Sequence, residues 1–310
     1  MLLSLRLLWH IASATGSLHP SSLRKCQSSI THCPDNTTIA SATNPIGQTS
    51  HPTDSSRNAV TITWAAANHD NTGQSLDNVY TSVLVVSPTF EASLTGSGPS
   101  GSAVPEDTPF GNRDFRVYHV DFRNLWSEFS DGPAHALSFS RANGGFYYCG
   151  FYSYQDTVYI GKLANAYFFH SVLAGQTDFI YGFGTAWIQS SALQLRGCGG
   201  GITAWKGSNT TFENRYGVYI VDSQVRAANA SLAARINGAC ALGRPWNSQH
   251  RSIFARSFED GSIDPAGTGD VTTVMDAKAF APYREPAGVF QGPEGRFGDV
   301  SWIDWETVRA

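Results

Sequence analysis

Two aspartates, Asp156 and Asp178, lie 22 positions apart in the stretch Gly145–Gly184, which consists of two similar units laid end to end. Each unit opens with an apolar-aromatic run, Phe146–Phe151 or Tyr167–Leu173, passes a short polar bend and reaches its aspartate. A repeat of about this length, made of short strands and bends, is typical of a stacked β-solenoid. In such a stack the two aspartates lie above one another, with backbones about 4.8 Å apart.

A pair of carboxylates at this spacing has a specific chemistry. Both cannot ionise cheaply, so one tends to hold a proton while the other stays anionic. One site then contains both a general acid and a nucleophile. The alternative is that Asp156 and Asp178 only end two turns, where aspartate is common because it hydrogen-bonds the local backbone.

The elements that position this pair are short strands. The two units align without a gap, which places Cys149 opposite Ser171 and Phe151 opposite Leu173. Further apolar runs predict more strands, and the segment Ala227–Ile236 has a modest helical pattern. The other predicted strands are Val60–Trp64, Tyr80–Val86, Arg116–Phe122, Trp187–Leu195, Tyr216–Val225 and Ser252–Phe258.

Three short motifs in order resemble those of the pectin methylesterases, the carbohydrate esterases that demethylate pectin. They are Gln155–Tyr159 (QDTVY), Asp178–Gly182 (DFIYG) and Leu242–Trp246 (LGRPW). The resemblance covers about Asn58–Gly292 and is greatest to fungal members. It implies an all-β fold, a single-stranded right-handed parallel β-helix, in agreement with the repeat.

The resemblance also implies roles for the residues of these motifs. Asp178 is expected to attack the methyl-ester carbonyl, and Asp156 to protonate the departing methanol and then to activate water. Gln155 is expected to donate a hydrogen bond to the oxyanion. Arg244 is expected to pair with Asp178 and hold it anionic.

The same resemblance implies how pectin is bound. Trp246, Tyr159 and Tyr181 are expected to form an apolar wall against sugar rings and the ester methyl, with Thr177 as a further substrate contact. For Tyr181, ordinary stacking between coils is an equal alternative. The mechanism needs no metal or cofactor, and the sequence contains no spacing typical of metal ligands.

Two departures from the family pattern weaken the expected site. The second oxyanion glutamine of the family falls at Pro133, 22 positions before Gln155, and proline has no side-chain donor. His135 lies two residues further and can either replace that donor or serve as a structural histidine, which we favour. The sugar-stacking tryptophan of the family falls at Thr268.

Composition fits one globular domain. The chain has 310 residues, of which 41% are hydrophobic and 15% charged, so it can bury a sizeable core. Its 30 glycines and 12% aromatic residues suit short strands with tight turns. A net charge of −4 argues against a nucleic-acid surface.

The first residues predict export. Residues 1–16 form an apolar stretch ending in small residues, which is typical of a signal peptide and too short to span a membrane. Residues 17–57 are predicted to be an irregular segment or linker, and 58–310 the β-helix domain, which lacks the first coils of the family and is apparently shortened there. We therefore expect a secreted monomer that binds no membrane. Sequons at Asn36, Asn209 and Asn229 are compatible with a glycoprotein.

The five cysteines cannot all pair within the chain. Cys26 and Cys33 can form a small loop disulfide in a secreted protein. Cys149 lies in an aromatic strand and is predicted to be a buried thiol.

Three functions remain open at this level. The first is hydrolysis of pectin methyl esters through Asp178 and Asp156. The second is a catalytically impaired homologue that binds pectin, which Pro133 and Thr268 motivate. The third is a β-helix hydrolase or lyase that cleaves the pectin chain, because stacked aspartates about 5 Å apart suit a retaining glycosidase. Gln155 and Arg244 fit the esterase better.

Overall fold

The computed structural model describes residues 38–40, 58–69, 75–98, 100–266 and 272–310. The predicted signal peptide, Cys26, Cys33, Asn36 and Thr268 lie outside these residues. Nineteen strands are found in the described part of the chain. In chain order they are β1 (Thr38–Ala40), β2 (Val60–Trp64), β3 (Leu84–Val86), β4 (Phe115–Tyr118), β5 (Val120–Asn124), β6 (Leu137–Phe139), β7 (Asn143–Tyr147), β8 (Gly150–Tyr152), β9 (Val158–Ile160), β10 (Asn165–Phe169), β11 (Val172–Thr177), β12 (Ile180–Gly182), β13 (Thr185–Gln189), β14 (Ala192–Gly199), β15 (Thr203–Trp205), β16 (Gly217–Val221), β17 (Gln224–Ala227), β18 (Ser252–Ala255) and β19 (Phe258–Glu259).

Every pairing between these strands is parallel, and successive strands along the chain belong to different sheets. Sheet A has the order β1-β4-β7-β10-β13-β16-β18, and sheet B the order β19-β17-β14-β11-β8-β5-β2. Sheet C has the order β15-β12-β9-β6-β3. One coil therefore contributes one strand to each sheet, so the predicted parallel β-helix is confirmed. The register also confirms the predicted pair Phe151 and Leu173.

The core lies inside the coils and consists of side chains stacked from one coil to the next. Phe146 and Phe168 stack with ring centroids 4.9 Å apart, and Phe122 and Phe151 with centroids 5.5 Å apart. Cys149 is fully buried among them as a free thiol, as the sequence predicts. Since each parallel strand is covered on its inner face by its neighbours, the stack buries apolar surface that one coil alone leaves in water.

Several apolar runs that are each predicted as one strand form two consecutive strands in the structure. At each junction between a sheet A strand and the following sheet B strand, one residue has a left-handed backbone, with φ between 48° and 56°. This corner turns the chain from one sheet to the next, so a continuous apolar run does not form one straight strand. The corner residues are His119, Tyr148, His170, Ser190, Asp222 and Arg256.

The segment Tyr80–Val86 also differs from its predicted single strand. Asn78–Thr81 forms a 3₁₀ helix and only Leu84–Val86 forms a strand. The Asp77 carboxylate caps this helix by accepting from the Val79 N–H at 2.9 Å, and it also accepts from the loop at Thr95. Local capping therefore outweighs the strand propensity of this run.

The described residues contain five short α-helices: α1 (Phe90–Ser93), α2 (Ala230–Arg235), α3 (Ala277–Phe280), α4 (Pro286–Val289) and α5 (Trp305–Arg309), and a second 3₁₀ helix covers Ala281–Tyr283. The predicted helical pattern at Ala227–Ile236 corresponds to α2, which Asn229 caps through the Leu232 N–H at 2.8 Å. No helix in the described ranges is long and apolar enough to cross a membrane.

The C-terminal segment covers the outer face of sheet A. Val289, Phe290, Trp302 and Ile303 form a second buried cluster with aromatic residues of that sheet: Tyr147, Tyr167, Trp187 and Tyr219. Asp304 fixes the end of this segment, because its carboxylate accepts from the Tyr118 hydroxyl at 2.6 Å and its N–H donates to the Tyr147 hydroxyl at 2.6 Å. The C-terminal segment thus packs against the sheet A strands of the middle coils.

Candidate active site

The two aspartates lie at the same corner of successive coils, between a strand of sheet B and a strand of sheet C. Gln155 and Thr177 are paired in parallel, and the Asp156 N–H donates to the Thr177 carbonyl at 3.0 Å. Asp156 and Asp178 are therefore stacked, as the 22-residue spacing predicts. Both have left-handed backbones, with φ of 57° and 47°, which aspartate tolerates better than most residues.

Asp178 is the more constrained carboxylate. It is 6% exposed, and its Oδ1 accepts from the Gly201 N–H at 3.0 Å. The Arg244 Nε donates to Oδ2 at 3.1 Å, and a second guanidinium N–H donates to the same oxygen. A guanidinium with two donors on one carboxylate fixes both its charge and its orientation. This is the pairing that the sequence predicts for these residues.

Asp156 has a different environment. No ion pair to it is formed within the described ranges, and its Oδ2 receives a long hydrogen bond, 3.4 Å, from the Asn78 amide. Burial, followed by the neighbouring Asp178 charge, raises the pKa of Asp156 well above its usual range, while Arg244 and Lys206 oppose the shift. Burial and the neighbouring charge thus favour the protonated form of Asp156, while Asp178 is paired with a cation.

Gln155 and Thr177 occupy equivalent positions in these two coils. The Thr177 hydroxyl hydrogen-bonds the Ser130 hydroxyl at 2.7 Å. The half-buried Gln155 side chain forms no hydrogen bond within the described part of the chain, so its amide donors are available for a ligand beside Asp156. A free amide beside a carboxylate pair can donate a hydrogen bond to an oxyanion.

The three aromatic residues predicted to face the substrate occupy different environments. Trp246 is 38% exposed, whereas Tyr159 is 2% exposed and its ring is covered by Tyr181 and His135, with centroids 5.0 and 5.9 Å away. Tyr159 therefore stacks between coils and has no free ring face for a sugar in this structure. Tyr181 is half-buried, and its hydroxyl accepts from the Asn78 amide at 3.1 Å.

His135 is a structural residue of this site. It is fully buried, its Nδ1 pairs with the Ser138 hydroxyl at 2.8 Å and its Nε2 pairs with the Tyr181 hydroxyl at 2.6 Å. Burial lowers its pKa to about 3, so the ring is neutral. Pro133 lies in register with Gln155, since the Ala134 N–H donates to the Gln155 carbonyl at 3.1 Å. Both His135 nitrogens are already engaged, so the ring does not replace a donor at Pro133.

Two residues of the site are absent from the sequence-based prediction. Asn78 reaches Asp156 from the 3₁₀ helix, and Lys206 reaches Trp246, with its Nζ 3.9 Å from the indole centroid. Neither residue belongs to a motif, and both come from segments distant in sequence from the aspartates. The one available signal for Lys206 is its position after an apolar strand, TAWK, where a charge must leave the core or find partners.

A disulfide joins the two parts of the chain that hold Asp178. Cys198 and Cys240 are bonded across 42 residues, a pairing that the sequence analysis does not predict. Cys198 precedes the glycines that contact Asp178, and Cys240 precedes the Arg244 motif. The bond therefore stabilises the approach of Arg244 to its carboxylate partner.

We expect removal of this disulfide to lower the free energy of unfolding. The double substitution Cys198→Ser with Cys240→Ser is expected to cost about 2 to 4 kcal/mol, because the unfolded chain regains the freedom of a long loop. Urea denaturation followed by tryptophan fluorescence measures the change. As a control, a reducing agent should lower the midpoint of the wild type and leave that of the double variant unchanged. A wild-type urea midpoint that stays the same after addition of the reductant contradicts the prediction.

No group of three or more histidine, cysteine, aspartate or glutamate side chains able to hold a metal ion occurs among the residues that the structure describes. The site instead consists of two stacked carboxylates, one guanidinium and one free amide at a corner of a parallel β-helix. Two carboxylates in such an arrangement can act as a general acid and a nucleophile.

Comparison with known proteins identifies the family. The pectinesterase family model matches residues 111–305, which contain both aspartates and Arg244. The chain belongs to the pectinesterase family. It is 31% identical over 164 residues to probable pectinesterase A of Aspergillus niger, an alignment that covers 52% of this chain and 46% of that protein. It is 26% identical over 252 residues to a pectinesterase of Aspergillus aculeatus, covering 80% of this chain and 66% of that protein.

Solved structures show the same fold. The pectin methylesterase of Aspergillus niger superposes with a TM-score of 0.56 at 24% identity, over 77% of this chain and 65% of that chain. The carrot pectin methylesterase superposes with a TM-score of 0.51 at 21% identity, over 67% and 56%. The chain thus spans less than two thirds of the length of these relatives.

Proposed function

We propose that this chain hydrolyses the methyl esters of pectin, releasing methanol and leaving free carboxylates on the galacturonan. The observation that supports this most directly is the unequal carboxylate pair: Asp178 is fixed by Arg244, and the raised pKa of Asp156 beside it favours the protonated form of that carboxyl. The free amide of Gln155 adds a donor at the same corner. Membership of the pectinesterase family supports the same substrate class.

In the first half of the proposed reaction, an Asp178 oxygen attacks the ester carbonyl carbon. The charge that develops on the carbonyl oxygen accepts a hydrogen bond from the Gln155 amide. The tetrahedral intermediate then expels methoxide, which takes the proton of Asp156 and leaves as methanol. The products are an acyl-enzyme on Asp178 and an ionised Asp156.

In the second half, ionised Asp156 removes a proton from water, and the resulting hydroxide attacks the acyl carbon. The bond to Asp178 breaks, which returns Asp178 as a carboxylate and Asp156 in its protonated form. The raised pKa of Asp156 suits both steps, because the group must hold a proton before the first and recover one during the second.

One aspect of the site opposes cleavage of the polymer chain itself. Gln155 has no role in a glycosidase, while an acyl transfer needs such a donor.

The test is methanol release from highly methylated pectin, with the Asp178→Asn variant as blank. We expect the wild type to release methanol without shortening the polymer, as judged by size-exclusion chromatography. Shortening of the chain without methanol would favour a hydrolase or lyase. Binding without either product, from a folded protein, would favour the impaired pectin-binding homologue that the lack of a donor at Pro133 suggests.

The substitution Pro133→Gln is expected to raise kcat. Position 133 is in register with Gln155, so a glutamine there adds a second donor at the corner where the oxyanion forms. One oxyanion donor is worth about 10² to 10³ in rate when fully aligned. For a donor that is only partly aligned, we expect a gain of about tenfold. Pro133→Ala serves as the matched control, because it lacks the ring and gains the same backbone N–H as Pro133→Gln but adds no side-chain donor. Equal rates for both variants would contradict the role assigned to the missing donor.

Secretion, glycosylation at Asn209 and Asn229, and the monomeric state stay predictions of the sequence. Asn229 is exposed in the structure and caps α2. The Trp246 indole is the aromatic surface at the site that we propose for contact with the sugar or its methyl ester.

A further inference from the structure

Arg196 is a half-buried arginine of β14 that has no acidic partner. Its Nη1 donates to the Ser153 carbonyl at 2.9 Å, and its guanidinium carbon lies 3.8 Å from the Tyr154 ring centroid. No ion pair to Arg196 is formed among the residues that the structure describes. The exposed Glu128 carboxylate influences its charge without pairing with it. The guanidinium is thus held in place by a carbonyl and a ring while its charge stays unbalanced.

This guanidinium lies beside the segment that leads into the acid pair. Its two contacts, Ser153 and Tyr154, stand just before Asp156 in the chain. The two steps from Tyr154 to Asp156 span at most about 7 Å. The strand that carries Arg196, β14, pairs with β11, which leads directly to Asp178. A group bound at Arg196 is therefore the next neighbour of a group bound at the two aspartates.

Arg123 shows what a balanced charge looks like on the same face of sheet B. Its guanidinium carbon also lies over a tyrosine, 3.7 Å from the Tyr152 ring centroid. Unlike Arg196, it also pairs with a carboxylate of the protein, since its Nη2 donates to Asp121 at 2.7 Å. Arg196 has the aromatic support without the carboxylate. A carboxylate supplied by a ligand can therefore take the place at Arg196 that Asp121 takes at Arg123.

We propose that Arg196 binds the free carboxylate of a galacturonate residue next to the one whose methyl ester reaches Asp156 and Asp178. This inference rests on the proposed esterase function, whose product places free carboxylates beside unreacted esters. A guanidinium has five N–H donors in a planar fork that matches a carboxylate, and the Ser153 carbonyl takes one of them. A methyl ester at the same position has no charge to offer. The subsite therefore favours partly demethylated pectin over fully methylated pectin.

The experiment is isothermal titration calorimetry of the protein with unmethylated trigalacturonate, which contains no ester and is not turned over. We expect the wild type to bind it, with an affinity that falls as sodium chloride is added. Arg196→Gln should weaken binding by about tenfold, as the loss of one charge-assisted pair of hydrogen bonds does. If Arg196→Gln does not fold, Arg196→Lys keeps the charge but loses the fork, and binding should weaken by about threefold.

Arg226→Gln is the matched control for the loss of one positive charge. Arg226 is exposed in the same sheet, on the next strand, β17, where it is in register with Gln194 of β14. We expect its substitution to leave the affinity for trigalacturonate unchanged. Equal affinities of the wild type and the folded Arg196 variant overturn the proposal, and so does an equal loss of affinity in Arg226→Gln.

The binding measurement needs no turnover, so it is decided separately from the esterase assignment. Methanol release by a wild type that does not bind trigalacturonate would overturn this inference alone. Binding that depends on Arg196, without methanol release, would overturn the esterase assignment alone. In an active enzyme, the ratio of kcat/KM on partly demethylated pectin to that on fully methylated pectin should fall about tenfold in Arg196→Gln. A purely structural role for Arg196 would lower both values alike and leave this ratio unchanged.

Discussion

Substitution of Asp178 by asparagine is expected to reduce methanol release from pectin by at least about 10⁴-fold, as removal of a catalytic nucleophile does in other hydrolases. An amide cannot attack the ester carbonyl as a carboxylate does, so the acyl-enzyme does not form. The shape of the site should survive, because asparagine also tolerates the left-handed backbone of this position, φ 47°. Its amide oxygen can still accept from the Gly201 N–H.

The chain contains a matched control for this change. Asp222 is a third aspartate with a left-handed backbone, φ 49°, and like Asp178 it pairs with an arginine, since the Arg256 Nε donates to its Oδ1 at 2.7 Å. Asp222→Asn is therefore the same chemical change at an exposed corner of a different coil, and we expect wild-type activity. Circular dichroism establishes that both variants are folded. Activity of folded Asp178→Asn within tenfold of the wild type would falsify the nucleophile assignment.

The second large effect is expected for Arg244→Gln. This change leaves the buried Asp178 carboxylate without its cation and without the two donors that orient it. We expect kcat to fall by at least about 10²-fold, since a small misplacement of a reacting group has effects of that size. KM should change less, because the guanidinium acts on the nucleophile in this mechanism.

Arg256→Gln is the corresponding control for a guanidinium on an exposed carboxylate. Its side chain is 56% exposed, so the ion pair with Asp222 contributes little and its loss should alter neither kcat nor the urea midpoint measurably. Steady-state kinetics on soluble methylated pectin give kcat and KM for both variants. Equal kinetics for Arg244→Gln and Arg256→Gln would show that Arg244 does not orient the nucleophile.

The sequence predicts the central geometry of this site because a β-helix repeats. The 22-residue spacing places Asp156 over Asp178 and Pro133 in register with Gln155, and the observed pairings agree. The motif around Arg244 predicts its pairing with Asp178. For the aspartates and for Pro133 the distance is set by the stacking of equivalent positions, which can be counted along the chain, whereas the pairing of Arg244 follows from the family resemblance.

The other contacts of the site depend on segments that do not repeat. Asn78 reaches Asp156 from a 3₁₀ helix, and Lys206 reaches Trp246 from the end of β15. The positions of both side chains follow from tertiary packing rather than from coil spacing. The burial of Tyr159 has the same origin, because alternation gives the face of a strand but does not show that His135 and Tyr181 cover the ring. A periodicity analysis also does not reveal the left-handed corners. A residue such as Tyr148 ends one strand, but because it is itself apolar, the apolar run continues through it.

The C-terminal cover of sheet A has a consequence for biosynthesis. Trp302 and Ile303 belong to one buried cluster with Tyr147 and Tyr167, which leave the ribosome more than 130 residues earlier. Until residues 289–303 are synthesised, these coils present an uncovered aromatic face, which chaperones can bind and which favours aggregation. A chain truncated after the Arg244 motif would keep both aspartates and their guanidinium but would expose this face. Recombinant production is therefore more sensitive to residues 289–303 than the location of the chemistry suggests.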